Sequence, residues 1–191
     1  MAESSSIPCF TFFPGRQAQR ISIFCYLLAL KSGLERADAE LLRMVAPTHS
    51  IPDGCYPDAP ESNALKSSAA SASPAGRHAY EGADLLQTAD DDVMTAASIV
   101  AWQRYEHWDG SGYPRGLKGR AIHIFGRITG LATVFDSLMH WQPHGRHFDM
   151  DQVLALIRRQ RGRRFDPQLV DIFLQNPREF IEIGNRYPEE G

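Results

Sequence analysis

Hydrophobic residues recur at helical spacing along most of the chain. Ile21, Phe24, Cys25, Leu28 and Ala29 fall at i, i+3, i+4, i+7 and i+8, the stripe of a helix packed on one face, which predicts a helix over Arg16–Lys31. Gly33 follows where a C-terminal cap belongs. Ala39, Leu42 and Met44 mark a second helix over Arg36–Val45, stopped by Pro47. Helical patterning returns over 77–87 and 91–103, with Asp90 suited to cap the latter. The longest apolar helix is predicted over 122–141, with Ile128, Leu131, Phe135 and Leu138 on one stripe. Shorter helices follow over 150–160 and 167–174, and Asp166-Pro167 suits the cap and first position of the last. No alternating strand pattern of useful length and no internal repeat is present. The pattern predicts an all-α fold, one domain of about five to seven helices.

The interruptions divide the chain. Residues 1–15 are irregular and read as an N-terminal extension, 16–175 as the domain, and 176–191 as a C-terminal extension. Within the domain, 50–76 is rich in proline and serine and predicts a long loop. A chain of 191 residues that is 43% hydrophobic and 23% charged can bury a proper core. A formal charge of −3 argues against coating nucleic acid or an anionic membrane. Cys9, Cys25 and Cys55 are scattered without metal-binding or disulfide spacing, which fits a reducing compartment. The longest apolar run, from Ile21 to Leu30, is too short to span a bilayer, and no leader pattern opens the chain. These features lead to the expectation of a cytoplasmic protein.

The most informative segment is Glu-His-Trp-Asp-Gly-Ser-Gly-Tyr-Pro-Arg-Gly-Leu over 106–117. Glycine and proline at this density exclude a helix interior or a regular strand. The segment reads as an ordered loop, and loops this rich in aromatic and charged residues tend to carry function. With its flanks it resembles the signature loop of the HD-GYP family, bacterial metal-dependent phosphodiesterases that open cyclic di-GMP. The resemblance covers roughly 16–175. It includes Phe165-Asp166-Pro167-Gln168-Leu169-Val170, similar to the start of the family's closing helix. It also includes Arg127-Ile128 and Val134-Phe135-Asp136-Ser137-Leu138, similar to its core helix, and His78-Ala79-Tyr80-Glu81-Gly82, similar to its histidine element.

The resemblance implies a metal site, and most of its ligand positions are changed. The name-giving His-Asp pair falls on His49 and Ser50, the next histidine on His78, two adjacent histidines on Arg104 and Tyr105, and a later aspartate on Thr133. The intervals from 49 to 78, 78 to 104 and 104 to 133 are 29, 26 and 29 positions, close to the family's ligand spacing. Two substrate-contacting positions hold Asp53 and Gln142 in place of lysine and arginine. Hydrolysis by such sites needs imidazoles and carboxylates converging on hard cations, so that a bridging water ionises at neutral pH. A guanidinium in the cluster repels those ions.

Each remaining candidate has a plainer reading. His49 and His78 read as vestigial, hydrogen-bonded histidines with residual divalent iron or manganese as the sharper alternative. His107, three residues after Arg104, would share a helical face with it if the helix ran that far. His140, His144 and His147 read as surface histidines. The run Arg158-Arg159-Gln160-Arg161-Gly162-Arg163-Arg164 reads as a solvated helix end, or as a contact for phosphate or an acidic partner.

The resulting expectation is a catalytically inactive HD-GYP-like domain with no catalytic residues and no required metal. It would act through an interaction loop comprising Trp108, Asp109, Gly110, Gly112, Tyr113, Pro114, Arg115 and Lys118. The resemblance implies a GGDEF-type domain as the protein partner, leaves self-association open, and gives no role to membrane or nucleic acid. Two alternatives stand beside it. One is a weak metal-dependent phosphohydrolase with a rearranged site around His49, His78, Glu106 and His107. The other is a nucleotide-binding effector that does not hydrolyse, using Arg104 or the 158–164 run.

Overall fold

The computed structural model describes residues 15–47, 92–140 and 149–188. Among them are seven α-helices and no strand: α1 (Arg16–Lys31), α2 (Arg36–Val45), α3 (Asp92–Gln103), α4 (Ile124–His140), α5 (Met150–Arg159), α6 (Pro167–Gln175) and α7 (Pro177–Arg186). An isolated bridge between Arg161 and Phe165 is the one extended pairing among these residues. None of these helices is long and apolar enough to cross a membrane.

Local chemistry fixes the helix ends. Ser32 closes α1, and Gly33 beyond it takes a φ of 88°. The Leu34 amide then reaches Ala29 O and the Gly33 amide reaches Leu30 O, which satisfies carbonyls the helix leaves open. Asp166 caps α6 by accepting the Gln168 amide, with Pro167 at the first turn as expected. Asp149 and Gln152 form a reciprocal capping box on α5. The helix predicted over 122–141 begins at Ile124 instead, because His123 Nδ1 accepts the Phe125 amide and acts as its cap.

The apolar stripes meet in one core. Phe24 of α1 lies edge-on to Phe135 of α4 with ring centroids 5.1 Å apart, and Phe173 of α6 and Phe180 of α7 close the cluster. Two expectations need correction here. Met44 is 63% exposed and lies off the buried face of α2, which is Ala39, Leu42 and Val45. The segment after 175 contributes α7, whose Phe180 and Gly184 are buried against the rest. Only its amphipathic spacing could have signalled that, since Pro177 hides the continuation after α6.

A buried ion pair crosses this core. Arg20 on α1 and Asp136 on α4 are both fully buried, joined through Nε to Oδ1 and through Nη2 to Oδ2 at 3.1 Å. Arg20 Nη1 also donates to Tyr187 O at 2.7 Å, so one guanidinium ties α1, α4 and the end of α7 together. His140 completes the group, 3.0 Å from Asp136 O and 3.4 Å from its carboxylate. It is half-buried and partnered, and the expectation of a surface histidine at 140 does not hold.

The loop between α3 and α4 is fixed by two constraints. Glu106 is 7% exposed, and its two carboxylate oxygens accept the backbone amides of Arg115 (2.8 Å) and Leu117 (2.9 Å). Gly112 lies so close to the backbone of Tyr105, Glu106 and His107 that any Cβ would collide with main-chain atoms. The α3–α4 contact is equally close: a Cβ on Gly126 would meet Gln103, and one on Gly130 would lie 2.9 Å from Arg104 O.

Two stability outcomes follow. Asp136→Ala leaves the Arg20 guanidinium buried without its carboxylate and should cost about 3–5 kcal/mol in chemical denaturation. A loss below 1 kcal/mol would mean the pair contributes little. Glu106→Gln keeps the shape but turns one acceptor into an NH₂ facing an amide donor. It should cost about 1–3 kcal/mol, with faster hydrogen exchange at the Arg115 and Leu117 amides. Unchanged exchange there would refute the role given to the carboxylate.

Candidate functional site

Helix α3 ends at Gln103, so Arg104, Tyr105, Glu106 and His107 enter the loop rather than continuing a helical face. The same-face relation expected for Arg104 and His107 is therefore absent. Arg104 turns back on its neighbour: Nη2 donates to Tyr105 Oη at 3.0 Å, and the guanidinium carbon lies 4.4 Å from the Tyr105 ring centroid. Tyr105 in turn stacks on Tyr113, centroids 5.0 Å apart and planes 21° from parallel. The Tyr113 amide donates to Tyr105 O, so the loop folds back to bring the two rings together. Cation, phenol and phenol thus form a continuous stack at the mouth of the signature loop.

The other loop residues are held in different ways. The Trp108 and Asp109 amides donate to Arg164 O and Arg163 O, which pins the loop to the segment before α6. Gly119 donates to Trp108 O, and Gly110, at φ 88°, donates to His107 O. Arg115 is exposed but rests over the Trp102 ring at 4.5 Å. Lys118 is exposed. Asp109 accepts from Ser111, whose hydrogen bonds hold its carboxyl below the ordinary aspartate range.

As metal donors, the described residues do not fit. Position 104 is a guanidinium engaged on a ring, and position 105 is a stacked phenol. Thr133 on α4 spends its hydroxyl on Thr129 O at 2.7 Å. Glu106 has both oxygens occupied by backbone amides, and His107 Nδ1 faces Ser111 Oγ at 3.0 Å. Burial, and behind it Arg164, lowers the His107 pKa, while burial raises that of Glu106 against the pull of its amide donors. A hard divalent cation needs several carboxylates and imidazoles free to converge, and among the described residues no such group of three assembles. His49, Ser50, Asp53, His78, Gln142, His144 and His147 lie outside the described residues, as do Asp90 and the segment 77–87 over which a helix is expected.

Sequence reasoning missed a second feature. Beside the loop, α4 and α5 leave a cleft of about 390 Å³. Its apolar wall is Val134, Leu138, Leu156 and Phe165, and its polar side is His107, Asp109, Arg163 and Arg164. The basic run is therefore not a uniformly solvated helix end. Arg161 pairs with Asp171 through two 2.8 Å bonds, whereas Arg164 is half-buried with its guanidinium carbon 5.7 Å from the Phe165 ring centroid. Nothing in the spacing of arginines could separate those two roles, which lie on either side of a turn at Gly162 (φ 72°).

Known proteins resemble this chain along most of its length. Residues 12–169 match the HD domain family. The 3′3′-cGAMP-specific phosphodiesterase 2 of Vibrio cholerae is 32% identical over 92% of this chain and 34% of its own length. The cyclic di-GMP phosphodiesterase response regulator RpfG of Xanthomonas campestris pv. campestris is 32% identical over 88% of this chain and 45% of its own. The chain thus spans between a third and a half of those two relatives. The crystal structure of a cyclic GMP-AMP specific phosphodiesterase of V. cholerae, V-cGAP3, superposes with a TM-score of 0.62 at 22% identity, over 90% of this chain and 49% of that one. That likeness concerns the fold alone. With the helical architecture and the family match over 12–169 together, the chain belongs to the HD domain family.

Proposed function

We propose that this chain is an HD domain that has lost metal-dependent phosphodiester hydrolysis and acts as a protein-interaction module in cyclic-dinucleotide signalling. The observation that carries the reading is the Arg104–Tyr105–Tyr113 stack, whose first two members hold the positions where the resemblance places two adjacent histidine ligands. An arginine stays charged at any physiological pH, so a divalent ion near it loses Coulomb energy instead of gaining a ligand. Thr133, spent on its own helix, offers no carboxylate to offset that. The signature loop, by contrast, is closed by Glu106 and Gly112 into one conformation, and a preorganised loop loses little entropy when a partner docks.

The relatives' phosphodiesterase activity favours a second reading, a weak hydrolase with a rearranged metal set. Glu106 and His107 are poor additions to such a set, since their described hydrogen bonds commit them elsewhere. A discriminating assay supplies iron, manganese or magnesium and measures opening of cyclic di-GMP and 3′3′-cGAMP. We expect no turnover above the metal-only control. Metal-dependent turnover that vanishes in a His49→Ala, His78→Ala double variant would establish the second reading instead.

The docking surface is proposed to be the exposed side of the loop, and a GGDEF-type domain is the partner class to be tried first. Arg115 packs over Trp102, so its reversal perturbs the fold as well as the surface; Lys118 is the cleaner probe. In a binding titration Lys118→Glu should weaken the complex by about 1–3 kcal/mol if the contact is buried, while His78→Ala leaves it unchanged. The reverse ranking would place the interface at the old ligand positions.

A further inference from the structure

The basic run over 158–164 has no part in that reading. Five arginines and no carboxylate stand between Asp151 and Asp166, in a chain whose formal charge is −3. Two of the five are committed: Arg161 pairs with Asp171, and Arg164 is half-buried beside the Phe165 ring. Arg158, Arg159 and Arg163 are exposed, and no carboxylate among the described residues forms an ion pair with them. Asp109 feels Arg163 only slightly, because Ser111 holds its carboxyl first. Other surface cations do find a partner, as Arg43 does in Glu40 and Lys31 in Glu179. The dipole of α5 favours Arg158 and Arg159 in its last turn, but Arg163 lies beyond the helix. Like charges gathered without a counter-ion repel one another.

The backbone that carries these arginines is fixed. The Gly162 amide donates to Phe165 O, the Arg163 and Phe165 amides donate to Gln160 O, and Arg163 O accepts the Asp109 amide. Cations on an ordered turn lose less freedom on binding than cations on a loose one. Arg161 shows what such a turn accepts. Its Nε and Nη2 each lie 2.8 Å from a different oxygen of Asp171, the forked pairing that suits a planar carboxylate.

We propose that the turn after α5 is a docking site for an acidic segment of a partner protein, whose carboxylates pair with Arg158, Arg159 and Arg163. Nucleic acid and anionic membrane also carry negative charge, but a chain of net charge −3 repels both at long range. A partner protein needs only a local acidic cluster. The turn also offers a membrane nothing to insert: the exposed large hydrophobic residues among those described are Leu30 and Met44, on α1 and α2. The site lies outside the signature loop and does not depend on whether hydrolysis has been lost.

NMR titration of the full chain tests this, with a short helical peptide bearing glutamates along one face as the probe. The same peptide with glutamines, a DNA duplex and phosphatidylserine vesicles are the comparisons. The glutamate peptide should saturate, shift the amides over 158–164 and weaken as salt rises, and the glutamine peptide should not bind. Arg158→Glu with Arg159→Glu should weaken the glutamate peptide by about 10-fold. Arg178→Glu with Arg186→Glu, an equal charge change on α7, should weaken it by less than about 2-fold. If the first double variant does not fold, Arg163→Gln carries the test, with a loss of about 3-fold. Four results would overturn the proposal: no saturable shifts, equal losses in the two double variants, tighter binding of DNA or vesicles than of the peptide, or shifts confined to 106–118.

Discussion

The buried carboxylate of Glu106 is the constraint on which the rest of the site depends. Its two oxygens gather the amides of Arg115 and Leu117 from the far side of the loop, and so close a ring of main chain around Gly112. That closure brings Tyr113 onto Tyr105 and puts Trp108 and Asp109 within reach of the carbonyls at 163 and 164. Those two hydrogen bonds offset part of the entropy lost in ordering a glycine-rich segment. Burial raises the carboxyl's pKa while the amides pull it back, so the group sits in a balance between desolvation and hydrogen bonding.

Among the described residues, guanidinium groups dominate the charge at this end of the molecule. Arg104 is committed to Tyr105, Arg164 is half-buried without a described carboxylate, and Arg127 pairs with Asp166 at the head of α6. A site meant for divalent cations concentrates negative charge and free donors; the described residues here concentrate guanidinium groups and spend their carboxylates on caps and pairs. Arg20 and Asp136 show the same economy in the core, where a charge pair joins three helices rather than serving a reaction.

Much of the fold could be read from the chain, because helix boundaries here are set by local chemistry. The stripe of α1, the Gly33 cap and the Asp166-Pro167 start of α6 follow directly from residue type and spacing. Met44 misled because a methionine near a periodic position looks like core, while the burial of Val45 decides the face. Helix α7 went unseen because Asn176-Pro177 ends one helix and begins another within two residues. The order of the signature loop could be inferred from its glycines and aromatics, but its cause could not. From sequence, Glu106 reads as a member of a rearranged metal set, and only the fold shows its carboxylate buried on the loop's own amides. The cleft was illegible for a similar reason: its wall comes from α4, α5 and Phe165, residues brought together only by tertiary packing.

The most direct measurement is metal stoichiometry. The full chain, exposed to excess ferrous iron or manganese and then desalted, would be analysed for bound metal. A Ser50→Asp, Arg104→His, Tyr105→His, Thr133→Asp variant would be treated identically. Loss of the metal centre predicts far less than one ion per chain in the natural sequence and a marked gain in the variant, because the change replaces a cation and three weak donors with two imidazoles and two carboxylates. One or more tightly held ions per natural chain, lost on His49→Ala and His78→Ala, would contradict it.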